Sequence, residues 1–452
     1  MNNNLKKLLL LGGDISILYL ALYLTLTLRY WGQPGINNWN IHFWPFSFIF
    51  IFWIIIFYIA DLYNLYLAIN NSKFLQTASK SIILAGLLSA AFFYINPGIG
   101  IAPKTNLLIY IIISYFLFIF WRRLYNWLVG AYSPKNNLAF IGTNEQAQEL
   151  LSIIKNNPHI GYEIKLIVDN NGLDVTGDEA LKVKIDDYKK LMIDKKIATV
   201  ILTSDPHQSS ELRSALFSCL PLNLNFINFT HFYEMITGRV PIGAINQMWF
   251  LENLNRSDRT FFQFGKKIID LFLAGFILII TAPLWPIIGL IIKLESKGPI
   301  FFKQTRVGKN FRPFTMIKFR TMSEDGNNRN PTTLNDRRVT TFGSFLRKTR
   351  IDEIPQVINV LIGDMSFVGP RAERPEIVSL LEKEIPFYRE RMLVKPGLTG
   401  WDQISGEYHS PSQEDTIKKL QYDLFYIKNR SIYLDLSIIL KTVATVLSRS
   451  GV

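Results

Sequence analysis

Four apolar stretches occupy residues 8–28, 44–62, 81–96 and 105–121. Each is near the ~20 residues a helix needs to cross a hydrocarbon layer, the third being short. Trp31, Trp39, Trp44 and Trp121 lie near their ends, as interfacial aromatics do. Lys6, Lys7, Lys73, Lys80, Arg122 and Arg123 fall on one side of this block, against Arg29 and Lys104 on the other. The positive-inside rule then puts both ends of the block in the cytoplasm. The N-terminus has basic residues and an apolar run, but no clear small-residue cleavage site, and reads as a first membrane helix.

The rest of the chain is of another kind. Over all 452 residues 49% are hydrophobic, 33 being Phe, yet 19% are charged. Separate membrane and soluble parts explain both figures. A net charge of +13 calls for an anionic partner. One cysteine, Cys219, excludes an internal disulfide and a cysteine metal cluster, and the five histidines show no zinc spacing.

From SPKNNLAFIGT the pattern changes to alternating strands and helices. NNLAFI, YEIKLIVD (162–169) and IATVILTS (197–204) read as strands, with helical spacing from Glu145 to Lys155. This predicts a parallel α/β sheet. Gly142-Thr143-Asn144 starts like a Rossmann turn but lacks the second and third glycines that let a pyrophosphate approach the backbone. A structural or regulatory domain is the reading.

A third region holds an uncharged run, Leu271–Ile292, broken by Pro283 and Pro286. Interior prolines kink a helix. If the run spanned, everything after it would lie outside the cytoplasm, and no later run is long enough to return. SIYLDLSIILKTVATVLS is amphipathic and suits a membrane surface. Residue physics leaves a spanning helix and a re-entrant one both open.

Between 301 and 350 there are twelve Lys or Arg and three acidic residues, interleaved with apolar ones in FFKQTRVGKNFRPFTMIKFRTM. Such a segment could line a polyphosphate site with Lys303, Arg306, Lys318 and Arg320, or form a basic face against anionic lipid. Next comes LRKTRIDEIPQVINVLIGDMSFVGPR. Pro355 suits the first position of a helix and Gly363 its C-terminal stop. Asp352 and Glu353 would sit just before that helix, where its N-terminus and nearby arginines favour ionised carboxylates. They read either as helix-start acids or as a nucleophile with a metal-holding neighbour.

The motifs GPIFFKQTRVGKN, KFRTM, RIDEIPQ, INVLIGDMSFVGPR, ERPE, VKPGLTGW and YDLFYIKNRSIYLDLSII occur in that order. Together the set resembles the bacterial sugar transferases, the polyprenyl-phosphate hexose-1-phosphate transferases, closely over roughly 260–452. The whole chain resembles their long form. The resemblance implies four transmembrane helices (1–133), a degenerate Rossmann-like α/β domain (134–250) and an α/β catalytic domain (251–452) with a re-entrant helix at about 265–293. It implies transfer of a hexose-1-phosphate, galactose or glucose foremost, from a UDP-sugar to undecaprenyl phosphate with release of UMP. The product would be the first lipid-linked intermediate of a surface glycan such as O-antigen, lipopolysaccharide or exopolysaccharide. Asp352 would be the nucleophile, with Glu353 binding Mg²⁺ or assisting ionisation and Asp352 sharing the metal. Lys318, Arg320, Arg347 and Arg371 would cradle phosphates, with Lys303, Arg306 and Asp364 secondary. Asp364 could equally be a polar turn residue. The implied setting is the bacterial cytoplasmic membrane with the catalytic domain on the cytoplasmic face. Membrane lipid is a partner, a second copy of the chain is one option, and nucleic acid is not expected. Three departures stand out: Ala282-Pro283 where small members often have Ser-Pro, Gly369-Pro370-Arg371-Ala372 for GPRP, and Trp401-Asp402-Gln403 for WAQ. A sugar-nucleotide dehydratase would need a full glycine fingerprint and a tyrosine with lysine four residues on, and both are missing. A non-catalytic scaffold would not require the acid pair inside its basic setting.

Overall fold

The computed structural model describes residues 3–30, 36–60, 62–63, 72–96, 104–132, 136–157, 161–169, 173–174, 181–182, 187–203, 210–254, 260–323, 336, 338–405 and 412–447. Trp31 and Ser204 lie outside the described residues, as does the side chain of Lys73. The chain divides into two units, 1–229 and 230–452.

The first unit opens with α1 (Asn3–Arg29), α2 (Ile36–Ile59), α3 (Ser72–Ile95) and α4 (Lys104–Tyr132). All four are long and apolar enough to cross a membrane. Their shared core is aromatic, with Phe46, Trp53, Phe57 and Tyr110 almost wholly buried, while Leu8, Ile51, Leu87 and Phe116 face outward. An apolar outside is what lipid requires of a helix bundle. Arg122 departs from the sequence reading. It is not a flanking cation but is buried on α4, its Nη2 donating to Asp14 Oδ2 on α1 at 2.6 Å.

The remainder of this unit is an α/β layer: β1 (Asn136–Ile141), α5 (Glu145–Asn156), β2 (Tyr162–Val168), β3 (Leu173–Asp174), β4 (Leu181–Lys182), α6 (Asp187–Asp194), β5 (Thr199–Leu202), α7 (Ser210–Ser218) and β6 (Asn225–Asn228). Strand order is β4-β3-β2-β1-β5-β6, parallel from β2 to β6. Gly142 turns the chain at φ 86°, and Asn144 Oδ1 caps α5 by accepting from the Ala147 N–H. The predicted strand–turn–helix start is therefore present.

The second unit holds α8 (Phe229–Thr237), α9 (Gln247–Leu254), α10 (Thr260–Thr281), α11 (Trp285–Glu295), β7 (Phe301–Val307), β8 (Pro313–Phe319), α12 (Thr341–Lys348), α13 (Val357–Ile362), β9 (Ser366–Val368), α14 (Pro375–Glu384), β10 (Gly397–Thr399), α15 (Gln413–Asn429) and α16 (Ile432–Leu447). The sequence reading drew the boundary at 251, but contacts put 230–250 here. Val240 and Trp249 are core residues of this unit, and the Trp401 indole donates to Gly238 O.

Pro283 and Pro286 act as the sequence suggests, since α10 and α11 are separated by a 3₁₀ turn at Ala282–Leu284. Phe261, Phe272, Ile279, Leu290 and Leu294 leave this helix pair strongly exposed. Both its flanks are nevertheless tied to the same unit by polar bonds. Near the start, Lys266 donates to Asp435 Oδ2 at 2.7 Å and Asp270 accepts from the Phe367 N–H. At the end, Glu295 accepts from the Phe342 N–H and Ser296 from Arg320. Among the described residues no helix after Glu295 is long and apolar enough to span.

Candidate active site

The basic, apolar-interleaved segment folds as the antiparallel hairpin β7–β8, with Phe302 opposite Lys318, Arg306 opposite Phe314 and Lys303 opposite Ile317. Side chains alternate across a strand. Lys318, Arg306 and Gln304 therefore share one face and Lys303 belongs to the other, where it is exposed. Lys303 is thus separated from the cations it was grouped with.

Chain geometry then brings the acids to Lys318. Thr340 caps α12, and Gly343 lets that helix press on the strand exit, since a Cβ there would lie 2.1 Å from Thr321 O. Arg350 turns the chain in the left-handed region, φ 57°, at a cost of about 1 kcal/mol for a residue with a Cβ. A 3₁₀ helix, Ile351–Gln356, follows and runs into α13. Pro355 lies inside this 3₁₀ helix rather than at the start of α13, a tighter geometry than the helix start read from sequence. Gly363 ends α13 at φ 100°, as expected. Asn359 fastens α13 to the hairpin, its Nδ2 donating to Thr315 O and its Oδ1 accepting from the Ile317 N–H.

The pair's two members are in different states. Glu353 Oε1 accepts from Lys318 Nζ at 2.6 Å and from Arg371 Nη2 at 2.9 Å. Burial alone would raise its pKa, but Arg371, Lys318 and Arg350 outweigh burial and hold it well below the usual carboxylate range. Asp352 is 8% exposed, and among the described residues its Oδ1 has no hydrogen-bond partner. Burial and the adjacent Glu353 charge push its pKa up, against Lys318, Arg347 and Arg350. The sequence alone predicts both acids ionised alike. Burial raises both, and the direct Lys318 and Arg371 bonds to Glu353 set them apart. Burial likewise lowers Lys318, with Glu353 opposing it.

Arg371 comes from the turn after β9. Gly369 and Gly397 allow β9 and β10 to meet there, since a Cβ on Gly369 would lie 2.4 Å from Lys395 O and one on Gly397 2.2 Å from Gly369 N. Arg391 supports Arg371 from behind. Its Nη2 donates to Arg371 O, its Nε to Asp423 Oδ2 at 2.7 Å and its Nη1 to Tyr388 Oη. Arg306 reaches the same turn, donating to Ala372 O, with Glu373 and Lys419 beside it. Arg347 donates Nε to Thr321 Oγ1, and its charge acts on Asp352. Arg320 lies one residue past β8, bonded to Ser296. Asp364 is in the turn at the far end of α13, its N–H given to Asn359 O, so it is a turn residue remote from the pair.

The structure thus unites Asp352, Glu353, Lys318, Arg371 and Arg347 with the secondary candidate Arg306, sets Arg320 apart on Ser296, and leaves out Lys303 and Asp364. Arg350 belongs to the basic neighbourhood that the sequence shows before the pair, without being named there as a site residue, and its charge acts on both acids. Asn359 and Arg391 are missed from sequence, because their roles depend on tertiary contacts.

A carboxylate with one buried oxygen unpartnered among the described residues, set among cations in a unit that carries its own apolar helix pair, has the chemistry an anion-handling centre beside a membrane would need. The pattern of the bacterial sugar transferase family matches residues 261–449. A UDP-N-acetylgalactosamine-undecaprenyl-phosphate N-acetylgalactosaminephosphotransferase of Aeromonas hydrophila is 37% identical over 256 residues, 56% of this chain and 60% of that protein. A UDP-glucose:undecaprenyl-phosphate glucose-1-phosphate transferase of Xanthomonas campestris is 30% identical over 331 residues, 68% of this chain and 66% of that protein. One of the same name in Klebsiella pneumoniae is 32% identical over 404 residues, 85% of this chain and 84% of its own length. The chain belongs to the bacterial sugar transferase family.

Proposed function

We propose that this chain transfers a hexose-1-phosphate from a UDP-sugar to undecaprenyl phosphate through a covalent intermediate on Asp352, starting a lipid-linked surface glycan. The observation that carries this reading is Asp352 Oδ1, buried and without a partner among the described residues, beside a Glu353 whose Oε1 is bonded to Lys318 and Arg371. The similar proteins divide between N-acetylgalactosamine and glucose in their names, so the donor is proposed as a UDP-sugar without choosing among them.

Arg371, Lys318 and Arg306 supply positive charge where a diphosphate would sit, and guanidinium forks match phosphate oxygens. Asp352 attacks the sugar-bearing phosphorus. One P–O bond forms to the carboxylate and the P–O bond to UMP breaks. Its raised pKa makes the carboxylate a more basic and better nucleophile once ionised. Glu353 keeps Lys318 and Arg371 aimed at the same point, and charge spread over phosphoryl oxygens needs cations held this way.

Magnesium is a compatible cofactor. Among the described residues no group of three or more His, Cys, Asp or Glu could hold a metal ion. Mg²⁺ commonly takes one or two carboxylates, its other ligands being waters and substrate phosphates. Asp352 and Glu353 Oε2, the oxygen that Lys318 and Arg371 do not engage, would hold the ion in that sparse role, and it would neutralise diphosphate charge when bound.

Re-entrance of α10–α11 is part of the proposal, supported by the polar ties at both flanks and by the prolines between. It would keep the active site on the cytoplasmic face, between a water-soluble donor and a lipid acceptor. Asp352→Asn should abolish UMP release from a UDP-sugar in membranes supplied with undecaprenyl phosphate; retained turnover would remove Asp352 as nucleophile.

A further inference from the structure

Arg320 has more hydrogen-bonding capacity than the fold uses. It is 5% exposed, and its Nη2 donates to Ser296 O at 2.7 Å and Ser296 Oγ at 3.0 Å. Among the described residues, its buried Nε and Nη1 have no partner. A cation closing the C-terminus of α11 is the ordinary explanation for such an arginine. That explains Nη2 and leaves the other two buried donors unaccounted for.

Its position names a ligand. The Arg320 N–H still pairs with Ile300 O, so Arg320 continues the Lys318 face of the hairpin, about 7 Å further along. Arg306 is on that face at the other end, beside the Arg371 turn. Arg347, whose charge acts on Asp352, bonds to Thr321, the residue after Arg320. The cations therefore run from the Arg371 turn, past the acid pair, to the base of α11. On α11, Ile287, Leu290, Ile291 and Leu294 follow helical spacing on one face and are all exposed. This apolar track ends at Ser296.

We propose that Arg320 and the Ser296 hydroxyl seat the acceptor's phosphate, a phosphomonoester carried on an isoprenoid chain that lies along the α11 track. The seat is separate from the donor cradle of Arg371, Lys318 and Arg306. It rests on the covalent reading above. From this seat an oxygen of the phosphate dianion attacks the phosphorus held on Asp352. The new P–O bond forms, the P–Oδ bond breaks, and the electron pair returns to the carboxylate with no proton transferred.

The test separates the two half-reactions. Enzyme and UDP-sugar are mixed in near-equal amounts without acceptor, and UMP is counted; steady-state rates are then measured against undecaprenyl phosphate. Arg320→Gln should keep the UMP burst and the UDP-sugar KM within about twofold, while kcat/KM for the acceptor falls about tenfold or more, the scale of one charge-assisted pair. Arg320→Lys, which keeps a cation, should fall in between. Inorganic phosphate should compete with the acceptor in the wild type and less in Arg320→Gln. A KM for undecaprenyl phosphate well below the inhibition constant of inorganic phosphate would mark the lipid as the intended source, and the reverse order would overturn it. Loss of the burst in both variants, an unchanged acceptor kcat/KM, or phosphate competition directed at UDP-sugar would overturn the seat. A wild type with no acceptor-independent burst would overturn the covalent reading as well.

Discussion

Replacing Glu353 by glutamine keeps the shape and removes one charge, leaving Lys318 and Arg371 facing each other without an anion. The Lys318 and Glu353 side chains are only 16% and 15% exposed. Breaking a buried pair from one side costs about 3–5 kcal/mol. Arg371, at 36% exposure, is screened and adds less than about 1 kcal/mol. The lower end of the range, about 3 kcal/mol, is the expectation, and at about 2–4 °C per kcal/mol for a unit of this size it is a drop near 10 °C in the unfolding midpoint. The pH dependence follows from the depressed Glu353 pKa. Its stabilisation is fully present above the unfolded value, near 4.5, and is lost as pH falls through the folded value. Wild type and Glu353→Gln should therefore differ by a constant amount at neutral pH and converge only below about 4.5. UDP, whose phosphates would replace the missing anion, should stabilise the variant more than the wild type. Activity should respond too. The Glu353 charge raises Asp352, so its removal should shift the acid limb of kcat/KM to lower pH while weakening Mg²⁺ dependence. Thermal unfolding of the detergent-solubilised protein across pH, with and without UDP, is the assay. An unchanged midpoint at pH 7, or a gap that persists in acid, would refute the pairing argument.

Two further outcomes are expected. With Cys219 replaced, single cysteines at Glu252 and Lys297, both exposed, should react with an impermeant maleimide from the same side of sealed vesicles; opposite sides would mean that α10–α11 spans. A protein starting at 230 should fold, whereas one starting at 261, where the family match begins, should be markedly less stable, because burial of Trp249 alone is worth about 3–5 kcal/mol; equal midpoints would make 230–254 an appendage.

What the sequence made legible was whatever depends on neighbours along the chain. Pro283 and Pro286 marked the break between α10 and α11, Gly363 marked the end of α13, and ordered motifs singled out Asp352. Strand alternation was also available, and applying it within β7 divides Lys303 from Arg306, while the division from Lys318 needs the hairpin register. The unequal states of the two acids were not available, because they depend on which carboxylate meets Lys318 after α13 is fastened by Asn359. Nor was the role of Arg391, which acts through a backbone carbonyl. Arg122 reads as a flanking charge until α1 brings Asp14 to it.

The apolar helix pair belongs to the same unit as the acid pair, and the contacts that hold it come from within that unit. Attachment to lipid and catalysis are therefore inherited together. On the proposed function, a gene split near residue 230 should yield a piece that keeps both the acid pair and the apolar helix pair. The four upstream helices are then free to be lost, exchanged or turned to another task without stranding the chemistry in water.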